Sequence, residues 1–379
     1  MKRYFYIILS LVVISAAVIA LRQTRPFAKD LANFDSTSFR QYERAKVTAL
    51  PVDERLQIPN GTYVKQQVEL RLLTGEKKGQ TITTTNEVVA GLSASQIARI
   101  GQTVVLGVLD TESGGVQYTI VDQYRLPALL VALLFFIVVV LVVAGRQGVG
   151  AIAGLIFIVV VLSQFVAPQL LAGTNALLVI IPACLVMTLY SMILAHGYNR
   201  ETMLAIISTL AALMLAIVVS MVAVSLTRLF GYGSADSAVL SFGYQAGINM
   251  RGILLAGIII GTLGILDDVT TSQTEAVAQL RAANENFGIR DLFIRAMAIG
   301  RHHIASLVNT LVLAYAGASL PLFLLFFLNQ ADPWWVILNS EFMAEEIVRT
   351  IVGSSTLILA VPLATIISAR FGKRVVALK

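Results

Sequence analysis

Asp267 and Asp268 stand at the end of a fifteen-residue, mostly apolar run, Gly252 to Leu266, and are followed by Val269, Thr270, Thr271, Ser272, Gln273, Thr274 and Glu275. Carboxylates placed there can hold a proton, a cation or a cationic substrate. A helix rises about 1.5 Å per residue, so fifteen residues cover roughly 22 Å of a hydrocarbon core about 30 Å thick. The span must borrow polar residues from one end: the aspartates if it extends forward, Asn249, Met250 and Arg251 if it extends backward. An ionisable group at depth costs at least about 2.5 kcal/mol, so such groups are usually retained for use.

Gly257, Gly261, Gly264, Asp268, Thr271 or Ser272, and Glu275 recur at three- and four-residue steps and share one helical face. The Gly257-x-x-x-Gly261 spacing lets another helix pack closely. That contact would turn Asp268 and Glu275 toward protein or a cavity, with Asp267 about 100° away at the edge of the face. An alternative stays open, because Ser272-Gln-Thr-Glu275 is also a capping box. Asp268 would then end one helix, and a second would begin near Gln273.

Further along, Ile289 to Arg301 mixes apolar residues with Arg290, Arg295 and Arg301, the pattern of a helix lying along the membrane interface. Arg301-His302-His303 then opens another span, on the side of the aspartates. Histidine exchanges protons near neutral pH, and at a boundary it also serves as a solvated anchor. Asn309 follows about two turns further in, as a ligand or as glue between helices. Glu345 and Arg349 have the favourable i,i+4 order for an ion pair. The candidate substrate- or ion-binding set is therefore Asp267, Asp268, Thr271, Ser272, Glu275, His303 and Asn309, with Gly257, Gly261 and Gly264 as packing positions. No catalytic residue and no cofactor are expected, and no metal is assigned.

The elements that must position these residues follow from composition. With 57% hydrophobic and 13% charged residues and a mean hydropathy of +0.79, this is a multi-span membrane chain. Windows long enough to cross a bilayer fall at 4-21, 126-144, 148-167, 174-195, 202-228, 252-272, 304-327 and 346-368, giving about eight transmembrane helices. The expected organisation is an N-terminal anchor at 1-21, an extracytoplasmic β-rich domain at 22-125, and a seven-helix domain at 126-379 with a cytoplasmic segment at 273-303. The first span lacks a clean cleavage pattern and reads as a retained anchor.

Basic residues near span ends, including Lys2, Arg3, Arg146, Arg200, Arg281, Arg290, Arg295, Arg301 and Arg370, fall on one side if the spans alternate. Both termini are therefore expected in the cytoplasm. This bias accounts for the net charge of +6 without a nucleic-acid partner. Cys184 is the only cysteine, which excludes intrachain disulfides and cysteine-cluster metal sites.

In 22-125 the alternation across Tyr63 to Leu73, with Ala45 to Leu50, Thr81 to Thr85, Thr103 to Leu109 and Val116 to Val121, predicts five strands. Turns are expected at Gly75-Glu-Lys-Lys-Gly79 and at 111-115. A small, OB-like barrel would suit them, either as a plain cap or as a binding site for an envelope protein. The outer loop 229-251, rich in glycine and aromatics, is expected to be re-entrant or interfacial.

Three segments resemble the YibE/F family of bacterial multi-span membrane proteins. They are Arg251 to Val269; Gly300-Arg-His-His-Ile-Ala-Ser306 with Asn309 to Gly317; and Val348 to Ser354 with Val361-Pro362. Leu73 to Gln80 carries a weaker likeness. The similarity runs from about residue 60 to about residue 370. His302 departs from the pattern, which more often has an acid before the position of His303. The resemblance implies an integral protein of the bacterial plasma membrane and supplies no mechanism.

Three functions are open to such a chain. The first is a permease driven by an ion gradient, since no Gly-x-x-x-x-Gly-Lys-Ser/Thr loop is present. Two groups of three spans entering from opposite sides would suit inverted repeats. The second is a non-catalytic envelope or signalling scaffold whose outer domain binds a partner. The third, an intramembrane enzyme, would need further carboxylates that no other span core supplies.

Overall fold

A computed structural model describes residues 41-58, 61-90, 97-110, 115-234, 236-237, 240-241, 248-328 and 333-372. They fall into two compact units divided near residue 139.

The first unit is an antiparallel sheet of β1 (Gln41–Ile58), β2 (Gly61–Leu72), β3 (Thr81–Ala90), β4 (Thr103–Asp110) and β5 (Val116–Gln123), in the order β3-β2-β1-β4-β5. All five strands lie where alternation places them. On β2 the inward residues Val64, Val68, Leu70 and Leu72 are buried, and Lys65, Gln67 and Arg71 point outward. β1 is longer than expected because it runs through Pro51. Register shifts flank Ala49, and such bulges bend a strand instead of ending it. The sheet curls until Thr84 Oγ1 on β3 donates to the Tyr118 carbonyl on β5 at 2.6 Å. Inside lies an apolar core of Ala45, Val47, Val68, Leu70, Leu72, Ala98, Val104, Leu106 and Ile120. The expected hairpin at 111-115 lies mostly outside the described residues.

Among the polar side chains buried in this unit, Gln66 and Glu43 stand on different terms. Gln66 is fully buried, and its amide is matched by the Ala98 carbonyl at 3.1 Å and the Ala98 N–H at 2.9 Å. Glu43 is 3% exposed. Its Oε1 accepts from Gln41 Nε2 at 2.9 Å, and its buried Oε2 has no partner among the described residues. The turn after β2 passes directly over it: Gly75 has φ 88°, and a Cβ there would meet Glu43 Oε1 at 2.0 Å. Burial pushes the Glu43 carboxyl above the usual glutamate range. The Gln41 hydrogen bond opposes that shift, Glu76 adds to it and Lys77 reduces it.

The second unit is helical, its first helix beginning before the division, in the first unit. Its elements are α1 (Leu126–Val161), a π turn (Leu162–Val166), α2 (Ala167–Leu171), α3 (Ala176–His196), α4 (Arg200–Leu226), α5 (Met250–Ala283), α6 (Ile289–Ala318), α7 (Leu320–Leu328), α8 (Trp334–Asn339) and α9 (Glu341–Phe371). Asn175, Asn199, Asn249 and Ser340 cap α3, α4, α5 and α9, each satisfying an N–H that the first turn leaves over. α4, α5 and α9 pack extensively on one another, and α3 lies more lightly against α5. Arg281 on α5 donates to the Ala369 and Gly372 carbonyls, and Arg200 on α4 to that of Phe371, so two guanidiniums hold the last turn of α9.

Among the described residues, five helices are long and apolar enough to cross a membrane, where eight spans were expected. The window at 4-21 lies outside the described residues. Those at 126-144 and 148-167 fall in one 46-residue run, Leu126–Leu171, interrupted at Gly145 (φ 54°, ψ −125°). In a straight helix Val140 and Gly148 would be about 12 Å apart. Here a Cβ on Gly148 would meet the Val140 carbonyl oxygen at 2.7 Å, so the chain turns back sharply at Gly145. The window at 304-327 is divided between α6 and α7 at Ser319. Pro321 has no N–H to continue the ladder of α6.

α5 is one unbroken helix of 34 residues through Asp267, Asp268 and Ser272. The alternative of a cap at Ser272 and a restart at Gln273 is not what the structure shows. The stretch expected as an interfacial helix, 289-301, continues without a break into α6. In the loop 229-251, Phe242, Gly243, Tyr244 and Gly247 lie outside the described residues.

Candidate intramembrane carboxylate site

α5 turns its two aspartates to different surroundings. Asp268 is exposed, as are Ser272 and Glu275, the last accepting from Gln279 Nε2 at 2.6 Å one turn on. Asp267 faces α3. Its Oδ2 accepts from Ser191 Oγ at 3.5 Å, at the outer limit of a hydrogen bond. The same hydroxyl lies 3.4 Å from the Thr188 carbonyl, and its one proton serves only one acceptor at a time. Asp267 Oδ1 is buried and has no partner among the described residues.

The surroundings of Asp267 follow from helical spacing. Cys184, Thr188 and Ser191 stand at i, i+4 and i+7 on α3 and so share a face. Asp267 hydrogen-bonds to Ser191 at one end of that row. Thr188 lies between Cys184 and Ser191 on that face. It is fully buried, and its Oγ1 has no partner among the described residues; the buried Oγ1 of Thr271, one turn beyond Asp267, is in the same condition. Ala176 adjoins Gly252 as Ser191 adjoins Asp267, so α3 and α5 run parallel, and Thr188 and Thr271 lie on opposite sides of the carboxylate along them. Toward the start of α5 the seam between the two helices is closed by Cys184, Met187, Leu263, Leu266 and their neighbours.

α1 covers the other side of Ser191. A Cβ on Gly154 would lie 3.3 Å from the Ser191 Cα, and one on Gly150 would meet the Leu194 carbonyl oxygen at 1.9 Å. Only glycine permits this approach. The glycines singled out from sequence behave otherwise. Gly257, Gly261 and Gly264 are exposed; a Cβ at Gly257 or Gly264 would meet nothing within 4 Å, and at Gly261 only the Tyr315 hydroxyl at 3.5 Å. No described helix packs tightly on that face.

The structure therefore brings Asp267 and Thr271 together and leaves Asp268, Ser272 and Glu275 facing outward. His303 is half-buried and Asn309 exposed on α6. Neither hydrogen-bonds to the carboxylates among the described residues. Ser191 and Thr188 were not singled out from sequence. Their signal was the row Cys184, Thr188, Ser191 in an otherwise apolar helix, together with the Gly150 and Gly154 pair on α1.

A second group of acids lies at the start of α9. Glu341 Oε1 accepts from the backbone N–H groups of Phe230, Gly231 and Tyr232, at 2.6, 2.8 and 3.3 Å. Glu345 is buried, and its Oε1 accepts from the Gly233 N–H at 2.9 Å. The expected Glu345–Arg349 pair does not form. Arg349 pairs with Glu346, which also accepts from Ser319 Oγ at 3.0 Å, because Glu345 is turned inward onto the loop.

A row of three small and polar side chains on an apolar helix, a carboxylate facing it, and several membrane-length helices that follow a curled antiparallel sheet in the sequence fit a multi-pass helical membrane protein with a separate β unit. Residues 132–374 match the YibE/F-like protein family and residues 38–123 the YibE/F family N-terminal domain, and the chain belongs to the YibE/F family. No curated protein and no solved structure matches it.

Proposed function

We propose that the protein is a permease-like transporter of the bacterial plasma membrane, coupled to a proton or cation through Asp267 at the α3–α5 seam. The observation that carries this reading is the buried Asp267 Oδ1, which has no hydrogen-bond partner among the described residues. A carboxylate that only held helices together would have its oxygens matched, because an unmatched buried polar atom costs about 1–3 kcal/mol or more. An unmatched one inside a membrane helix is set to take up a proton or a cation.

Eight spans suit this reading. The reversal at Gly145 supports counting two spans in Leu126–Leu171, α6 and α7 supply one broken at Ser319, and 4-21 supplies the anchor. The distribution of basic residues supports cytoplasmic termini, with the β unit outside. The strand order, together with the Thr84–Tyr118 contact between β3 and β5, supports a partly open, OB-like barrel. Asp268 and Glu275 would line the aqueous approach to Asp267.

Purified protein in liposomes containing a pH-reporting dye or a sodium- or potassium-reporting dye, driven by a pH gradient or a potassium diffusion potential, tests the reading. Ion movement should be lost in Asp267→Asn and largely kept in Asp268→Asn. Movement unchanged in Asp267→Asn overturns the permease reading and leaves a scaffold that binds an envelope partner through its outer unit.

A further inference from the structure

We infer that residues 73-80 form a flap over one end of the curled sheet, held shut while Glu43 carries a proton and released when that carboxyl ionises. The inference concerns the β unit and does not require the reading of Asp267. Alternation on β1 turns Glu43 into the same interior as Ala45 and Val47, where it is 3% exposed. The segment joining β2 to β3 closes over it. Leu73 N–H donates to the Arg44 carbonyl at 2.7 Å, and Arg44 N–H donates to Thr74 Oγ1 at 2.7 Å. Gly75 then lies directly on the carboxyl, where a Cβ would fall 2.0 Å from Oε1 and 2.6 Å from Oε2. Among the described residues, no hydrogen bond joins 75-78 to β1 beyond Thr74.

An ionised carboxylate fits poorly beneath this flap. Gln41 Nε2 matches Oε1 at 2.9 Å, but the buried Oε2 has no partner among the described residues. An unmatched charge out of water is costly, whereas a protonated carboxyl carries no charge and becomes a donor. Burial favours the proton most, and the like charge of Glu76 in the flap adds to it; the Gln41 hydrogen bond and Lys77 oppose it. From β5 the facing group is the Tyr118 phenol, whose own proton is held more tightly by burial and then by the charges of Glu43 and Glu76, so it supplies no counter-charge. The inward residues at the adjoining ends of β2, β3 and β4 are Leu72, Ile82 and Leu106, which do not titrate. Opening the flap brings water to Oε2 and relieves only the ionised form. Glu43 therefore binds its proton more tightly with the flap shut, and a rise in pH shifts the flap toward open.

The test is hydrogen exchange of the full-length protein in detergent from pH 4 to 8, corrected for the intrinsic dependence of exchange on pH. The reporters are the amides of Arg44 and Leu73, whose hydrogen bonds tie the flap to β1, and of Gly79, which closes the flap on the Leu72 carbonyl at 2.8 Å. Residues 103-110 report the rest of the β unit. Protection of the flap amides should fall severalfold as pH rises, by no more than about tenfold per pH unit, the limit for one proton, and it should fall faster than that of 103-110. Glu43→Gln should abolish the fall and keep the flap shut at every pH, while Glu76→Gln should retain most of it. Gly75→Ala should leave the flap amides poorly protected at every pH and spare 103-110, which guards against a Glu43→Gln chain that does not fold. Flap protection independent of pH in the parent, a fall that persists in Glu43→Gln, or parent-like protection in Gly75→Ala overturns the inference. Loss of protection only in step with 103-110 also overturns it, and assigns the pH dependence to the whole β unit.

Discussion

The helical unit holds two groups of inward-turned carboxylates, and they differ in what meets them. At the start of α9, Glu341 and Glu345 are matched by four backbone N–H groups of the 230-233 loop. On α5, Asp267 has one long contact to a shared hydroxyl. Satisfied acids fasten a loop to a helix end. The unsatisfied acid is the one that the proposed reading assigns to taking up and releasing an ion. Burial does not distinguish the two groups; the completeness of their hydrogen bonding does.

The largest expected effect lies on the satisfied side. Glu341→Ala removes the acceptor of three backbone donors and should cost about 1.5–3 kcal/mol, read as a fall in the thermal midpoint of the purified protein, with Glu341→Gln losing less. A variant as stable as the parent would end the view of this group as structural. Next comes Gly150→Ala, whose Cβ would press on the Leu194 carbonyl. Overpacking of this kind costs about 1–3 kcal/mol and should push α1 from α3, which a distance measured between spin labels on the two helices would register.

Asp267→Asn should change stability by about 1 kcal/mol or less in choline buffer, since it removes a charge with hardly any hydrogen bond to lose, while abolishing ion movement. A large loss of stability with transport intact would make the two groups alike. Glu43 offers a third kind of buried acid, on the β unit, where the raised pKa fixes the sign. The folded form holds its proton more tightly than the unfolded form. Stability is therefore greatest below the ordinary glutamate value of about 4.3 and falls as pH rises through the raised one. Glu43→Gln should flatten that fall and stabilise the β unit at neutral pH, as measured by hydrogen exchange of residues 41-58 and 103-110 in the whole protein. The smallest effect belongs to Asp268→Asn, within about 0.5 kcal/mol.

Much of the architecture was legible in the sequence because period and hydropathy are local properties. All five strands lie where alternation predicts, down to Val64, Val68, Leu70 and Leu72 on the inner face. The site was legible only in part. Glycine spacing on α5 suggested a packing face carrying Asp268, yet small residues permit close approach without requiring it, and the close approach occurs at Gly150 and Gly154. Which of two adjacent aspartates turns inward depends on the helix opposite, a tertiary fact that no window of α5 contains. Ser191 on α3 decides it in favour of Asp267. The extended course of β1 through Pro51 was likewise hidden, because pairing with β2 on both sides of it overrides a local breaker.

The two guanidiniums that grip the end of α9 bear on how the molecule can rearrange. With its last carbonyls tethered to α4 and α5, α9 is yoked to those helices. Any large displacement must leave that trio travelling as one block. The natural shear plane is then the thinner boundary between α3 and α5, where Asp267 sits, so sliding along it would open and reseal that carboxylate.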